Sequence, residues 1–244
     1  MQIMTKELPR VDEKGKTHNH NFWLGATVKA SKDDLFVCAP RSTDNISQKG
    51  GKTSFGMSGI CYVKNSDDNH FNTLPQIKTS DRYPKFGKPH KENLTDSFGW
   101  SIDVEESAHE VWVRVGSPAL AAGRVMTYTD TSGAIVPEVF RRSDKNEEGF
   151  NFGYSIASGN FFNNLKHGVA VGTPYGDNGV GMVLFYAEQH ALQYEVFDPT
   201  GKVGSLFGAA LCAANVKRQT VLLVGAPAYF NENSYHTGIV YVYR

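Results

Sequence analysis

An all-β fold built from four repeated, four-stranded units is predicted by three observations on the 244 residues. An apolar strand that stops at a small residue and Pro recurs as LFVCAP (35–40), VRVGSP (113–118), VAVGTP (169–174) and LLVGAP (222–227). Each copy follows an aromatic-glycine signature: FWLGATV (22–28), FGWSI (98–102), FGYSI (152–156) and FGAAL (207–211). Each precedes a Gly and an alternating strand: GICYVK (59–64), GRVMTY (123–128), GMVLFY (181–186) and GIVYVY (238–243). Self-similarity at a recurring spacing is how repeat architectures show themselves in sequence.

The elements of a unit follow in order. From the first Phe to the Pro the distance is 18, 20, 22 and 20 residues, and successive Phe residues lie 76, 54 and 55 apart. The later period suits four short strands with turns, and the first unit carries an insertion across roughly residues 64–95. A first strand leaves the aromatic-glycine signature and turns into the second, which Pro ends because it cannot donate to the ladder. After a loop, the third strand alternates with period 2 and so presents one face to a core. A more polar fourth strand, such as QYEVFD (193–198), completes the unit. Four-stranded units repeated radially are the blades of a β-propeller.

The prediction is therefore a single, incomplete propeller over 22–244, with blades at about 22–97, 98–151, 152–206 and 207–244. Residues 1–21 are expected to form an N-terminal arm or the outer strand of a preceding blade. A β-sandwich with coincidental Gly-x-Pro turns leaves two landmarks in every unit unexplained. Four blades leave two blade faces uncovered. Such a chain calls for completion by another chain, self-association through its end blades, or closure into a smaller ring.

Composition narrows the function. The chain is 40% hydrophobic, enough for a sizeable core, and its 25 basic and 25 acidic residues cancel. Without a basic excess, no nucleic-acid partner is expected. No apolar run approaches the ~18 residues of a membrane span. The N-terminus lacks the apolar segment of roughly 7–15 residues that marks a signal peptide, so cytoplasmic and exported placements both stay open. No nucleophile elbow, Walker loop, HExxH or CxxC pair is present. Ser155, in the hydrolase-like string GYSIASG, reads as a blade strand residue. His18 and His20 read as part of a solvated arm, and Asp67, Asp68, Glu147 and Glu148 are scattered acids that nothing selects. Neither catalytic residues nor a cofactor are expected.

The paired landmarks Phe-Gly and Gly-Ala-Pro resemble the FG-GAP repeat, and over about 20–244 the chain resembles the β-propeller of integrin α subunits. WLGATVKASKDDLFVCAP is similar to that family's second blade, FGYSIASGNFF to its fourth, and GIVYVY closes a blade as its fifth does. The resemblance implies a non-enzymatic, extracellular or cell-surface role in adhesion or receptor interaction. The partner would be an integrin β-subunit-like protein, bound directly or perturbed by a soluble decoy. A self-assembling structural fragment and a ligand- or glycan-binding propeller are the alternatives.

The resemblance further implies a disulfide between Cys38 and Cys61. It would close the 42–58 loop, for which loop entropy suggests roughly 3 kcal/mol. Taken alone, the two cysteines read equally as buried thiols on neighbouring strands. Cys212 is expected to be a small core residue. In the family, aromatic residues at the Phe-Gly signature form a cage that receives a basic side chain. Carried over, this makes Trp23, Trp100 and Tyr154 partner-binding residues, each good cation contact being worth ~2 kcal/mol or more. The other reading is that the three rings fill space between blades. The last unit has Ala209 at that place, which leaves the cage open on one side. Phe98, Phe152 and Phe207 are expected in the core between blades.

Two departures from the family stand out. The chain supplies four blades rather than seven. The family's DxDxDG-type calcium loops are absent: the corresponding stretches offer Asn160 and Asn164 in one unit, and Asn215 beside Lys217 and Arg218 in another. Only Asp103, Glu105 and Ser107 alternate suitably, and they read better as solvated turn residues. No metal site is expected.

Overall fold

The computed structural model describes residues 23–49, 52–66, 71–74, 97–107, 110–119, 123–131, 134–140, 151–162, 168–187, 191–216, 219–231 and 237–244. Expectations for residues 1–21, Phe22, Asp67, Asp68, Glu147, Glu148 and most of the 64–95 insertion lie outside these residues.

Four antiparallel sheets follow one another along the chain. The first holds β1 (Thr27–Ala30), β2 (Asp34–Ala39), β5 (Ile60–Asn65) and β6 (Asn72–Thr73), paired in that order. The second holds β7 (Ser101–Glu106), β8 (Val111–Ser117), β9 (Arg124–Thr131) and β10 (Ala134–Phe140). The third holds β11 (Ser155–Gly159), β12 (Gly168–Thr173), β13 (Met182–Tyr186) and β14 (Leu192–Phe197). The fourth holds β15 (Ala210–Val216), β16 (Gln219–Ala226) and β17 (Ile239–Tyr243), three strands among the described residues. Every sheet is a meander, and the strand ending in Gly-x-Pro or Cys-Ala-Pro is always second. First strands neighbour one another in sequence, β1 against β7, β7 against β11 and β11 against β15. Radial repetition about an axis produces that arrangement, and the fold is a β-propeller of four blades. The stretch between Pro40 and β5, expected as a loop, contains a hairpin of β3 (Thr43–Lys49) and β4 (Lys52–Met57).

Period-2 alternation gives each blade a face towards the previous blade and a face towards the next. Ile102, Val113, Val115, Met126 and Tyr128 of the second blade pack with Phe36, Cys38 and Cys61 of the first. In the same way, Leu222, Val224 and Ala226 of the fourth pack with Ala157, Ala170, Val183 and Phe185 of the third. Phe98, Phe152 and Phe207 are fully buried in these seams. They meet Tyr128, Tyr186 and Tyr241 edge-on at 6.5, 5.9 and 5.3 Å between ring centroids.

Each seam uses the same backbone joint. Gly59, Gly123 and Gly181 form parallel bridges to Phe98, Phe152 and Phe207 of the next blade. All three have positive φ, and a Cβ on any of them would meet the Phe carbonyl oxygen at 2.1, 2.2 and 2.5 Å. Beside that bridge, Thr27 Oγ1, Ser101 Oγ and Ser155 Oγ donate to the carbonyls of Gly99, Gly153 and Gly208 at 2.7, 2.7 and 2.6 Å.

Cys38 and Cys61 are direct cross-strand partners of β2 and β5 and are joined by a disulfide. Cys212 departs from expectation: it is free and exposed on β15. Its face of the fourth blade is the one a following blade would cover, and none of the described residues does so. The neighbours on that face are Ala210, Leu223, Val240 and Val242, and the two valines are 61% and 56% exposed.

Candidate functional site

The turn that launches each first strand is built alike in all four blades. A residue with left-handed φ stands first: Trp23 (55°), Ser97 (52°), Asn151 (56°) and Leu206 (58°). Its carbonyl accepts the N–H three residues later, at Ala26, Trp100, Tyr154 and Ala209. The glycine between them, Gly25, Gly99 or Gly208, donates to the carbonyl of the Cys or Gly before the strand-ending Pro. This geometry corrects the register of the first unit. Leu24-Gly25, not Phe22 and the residue after it, is the counterpart of Phe98-Gly99. Trp23 therefore stands at the place of Ser97, three residues before the counterpart of Trp100. The sequence match had aligned aromatic side chains, whereas hydrogen bonds align backbone.

The three rings nevertheless meet. Trp23 and Trp100 lie 6.4 Å apart between centroids at 38°, and Trp100 and Tyr154 lie 5.3 Å apart at 55°. They form an arc across the starts of the first three blades. Trp23 is 44% exposed, and Trp100 and Tyr154 are half-buried. Ala209 ends the arc at the fourth blade.

Two further residues join it from the position after the strand-ending Pro. The Arg41 guanidinium lies over the Trp23 ring, 4.7 Å from its centroid. Tyr175 is exposed and close enough to Tyr154 to act on its phenol: burial raises the Tyr154 pKa, and Tyr175 adds to the rise. Tyr154 therefore stays neutral at physiological pH. Sequence reading passed over both residues, yet each directly follows the Pro landmark, Pro40-Arg41 and Pro174-Tyr175. Antiparallel pairing of a first and second strand brings that position beside the turn where the arc begins.

Asp103 and Glu105, expected in a solvated turn, belong to β7 and are committed to ion pairs. Asp103 is buried, pairs with Lys29 at 3.1 Å, and accepts the Ser158 N–H at 2.6 Å. Glu105 pairs with buried Arg114 at 2.9 Å, and Arg114 donates to Ser158 Oγ at 2.6 Å. The cations and the N–H donor, drawn from three blades, thus tie those blades together.

No family model matches the chain. Integrin alpha-PS2 of Drosophila melanogaster is 25% identical over 257 aligned residues, covering 90% of this chain and 18% of that protein. Integrin alpha-5 of Xenopus laevis is 27% identical over 248 residues, covering 91% and 22%. Integrin alpha-2 of Bos taurus is 36% identical over 104 residues, covering 41% and 9%. The chain spans about a fifth of the length of the first two relatives. Among solved structures, a mutant of NanB sialidase from Streptococcus pneumoniae superposes with a TM-score of 0.43 at 12% identity, covering 86% of this chain and 28% of that one. So loose a match carries no argument. Over about nine-tenths of its length, then, the chain resembles integrin α subunits.

Proposed function

We propose that this chain is a non-enzymatic interaction module of the integrin α kind, acting outside the cell or at its surface. Its aromatic arc would receive a basic side chain of an integrin β-subunit-like protein, in a stable pair or as a soluble decoy. The observation that carries this reading is the run of ring contacts from Trp23 through Trp100 to Tyr154, open to solvent at the Trp23 end. Electron-rich ring faces attract a cation that is losing its water, and aromatic anchors of this kind dominate interfaces. Trp100 touches both other rings, so its truncation removes the middle of the arc. For Trp100→Ala, the dissociation constant for an integrin β-subunit ectodomain should rise about tenfold or more, with circular dichroism unchanged. An unaltered constant in a folded variant refutes the reading.

One observation favours a second reading, association through the end blades. Gly238 stands where Gly59, Gly123 and Gly181 each hold the next blade's Phe, and it holds none among the described residues. Leu24, at the Phe position of the first blade, is 46% exposed. The two ends are thus the two halves of one joint. Light scattering should show the apparent mass rising with protein concentration in the wild type and staying flat in a Leu24→Asp variant. A wild type that stays strictly monomeric removes this reading.

A further inference from the structure

Arg41 is not a passive neighbour of the arc. Its guanidinium lies over Trp23, whose ring also meets that of Trp100. A guanidinium held over an indole by a cation–π contact keeps N–H donors of its planar fork available to another partner. Among the described residues no carboxylate pairs with it: the ion pairs there are Lys29 with Asp103 and Arg114 with Glu105. Arg41 is also half-buried. The ring contact and the partial burial already restrict its side chain, so less entropy is lost when a ligand arrives. A planar, charged fork of this kind matches a carboxylate bidentately.

The same contact limits where an incoming cation can sit. Trp23 already hosts a cation on one face, which leaves Trp100 and Tyr154 as the free acceptors. A second cation placed there stands near the Arg41 charge and is repelled unless a negative group lies between them. We propose that Arg41 gives the arc a second, anion-reading half, so that it takes a partner segment presenting a carboxylate beside its basic side chain. Same-face residues two apart on an extended strand are separated by roughly 7 Å. The Arg41 guanidinium lies 4.7 Å from the Trp23 centroid and the Trp100 centroid 6.4 Å from it, so Arg41 and Trp100 are at most about 11 Å apart. The long side chains of Arg and Glu at that spacing can span this distance to reach Trp100 and Arg41 together. The proposal rests on the cation-accepting arc described above and adds the sign of the group beside the cation.

The test uses three capped peptides, Gly-Arg-Gly-Glu-Gly, Gly-Arg-Gly-Gln-Gly and Gly-Gln-Gly-Glu-Gly. Each is titrated at low salt into the whole chain while the tryptophan indole N–H resonances are followed by NMR. The peptide carrying both charges should bind roughly three- to fivefold tighter than the one carrying only Arg, the gain of a partly exposed, well-formed ion pair. Arg41→Gln should erase that advantage while leaving the resonances dispersed as in the wild type. If the two Arg peptides bind equally in both proteins, Arg41 reads no anion, and the cation-accepting arc stands without it. If the Glu-only peptide shifts the Trp23 resonance but neither Arg peptide shifts that of Trp100, the cation reading fails and the two-charge proposal with it. Silence with all three peptides overturns both.

Discussion

At the scale of single residues, the seams between blades depend on hydroxyls that a reader of sequence would pass over. Ser155 sits in GYSIASG, a string that looks like a hydrolase motif, yet its Oγ is buried and donates to the Gly208 carbonyl of the next blade. Thr27 and Ser101 make the same bond at the two earlier seams. In the fourth blade the counterpart is Ala210, which has no side-chain donor and no following blade among the described residues. Ser155→Ala leaves a buried carbonyl unpaired and should cost about 1–2 kcal/mol, read as a lower urea midpoint. Ala210→Ser, with no acceptor in place, should leave the midpoint within a few tenths of a kcal/mol.

At the scale of elements, strand boundaries were legible because turn chemistry is local. Pro ends the second strand of every blade, and period-2 alternation marks the third. The role of Gly123 was less legible, since its constraint comes from another blade. It has φ +86°, and a Cβ there would meet Phe152 O at 2.2 Å. Gly204 has a similar φ of +83°, and a Cβ there would meet nothing within 4 Å. Gly204→Ala should therefore cost only the conformational strain, about 1–2 kcal/mol. Gly123→Ala adds a steric clash of about 1–3 kcal/mol. Urea unfolding of the two variants separates backbone strain from close approach. Equal losses would show that the parallel bridge at Gly123 adds nothing.

At the scale of the whole molecule, the seam between the third and fourth blades makes stability depend on pH. Burial alone would push the Asp198 carboxyl up. Hydrogen bonds from Ser205 Oγ, Thr200 Oγ1, Thr200 N–H and Tyr241 Oη outweigh that effect, and its pKa lies below the ordinary value. A lowered carboxyl contributes stability that is present above its unfolded pKa and lost as pH falls through the folded one. Tyr241 behaves in the opposite sense. Burial, helped by Asp198, pushes its phenol up from 10.0 to about 12. Its contribution is full below 10 and lost as pH rises towards 12. Stability should therefore fall below about pH 4, and Asp198→Asn should flatten that acid limb in urea titrations. An acid limb unchanged in the variant would place the cause elsewhere.

The resemblance to integrin α subunits implied the Cys38–Cys61 disulfide. The sequence by itself determined the repeat, the number of blades and the order of strands within a blade. These follow from turn residues and alternation, which act over a few positions of the chain. Only the tertiary structure decided the backbone register of the first unit, because Trp23 and Trp100 look alike in sequence while hydrogen bonds set Trp23 three residues off. It alone showed that Cys212 is exposed, since burial of a strand face depends on whether a neighbouring blade covers it. It alone brought Arg41 over Trp23, since that contact joins the end of one strand to the start of another.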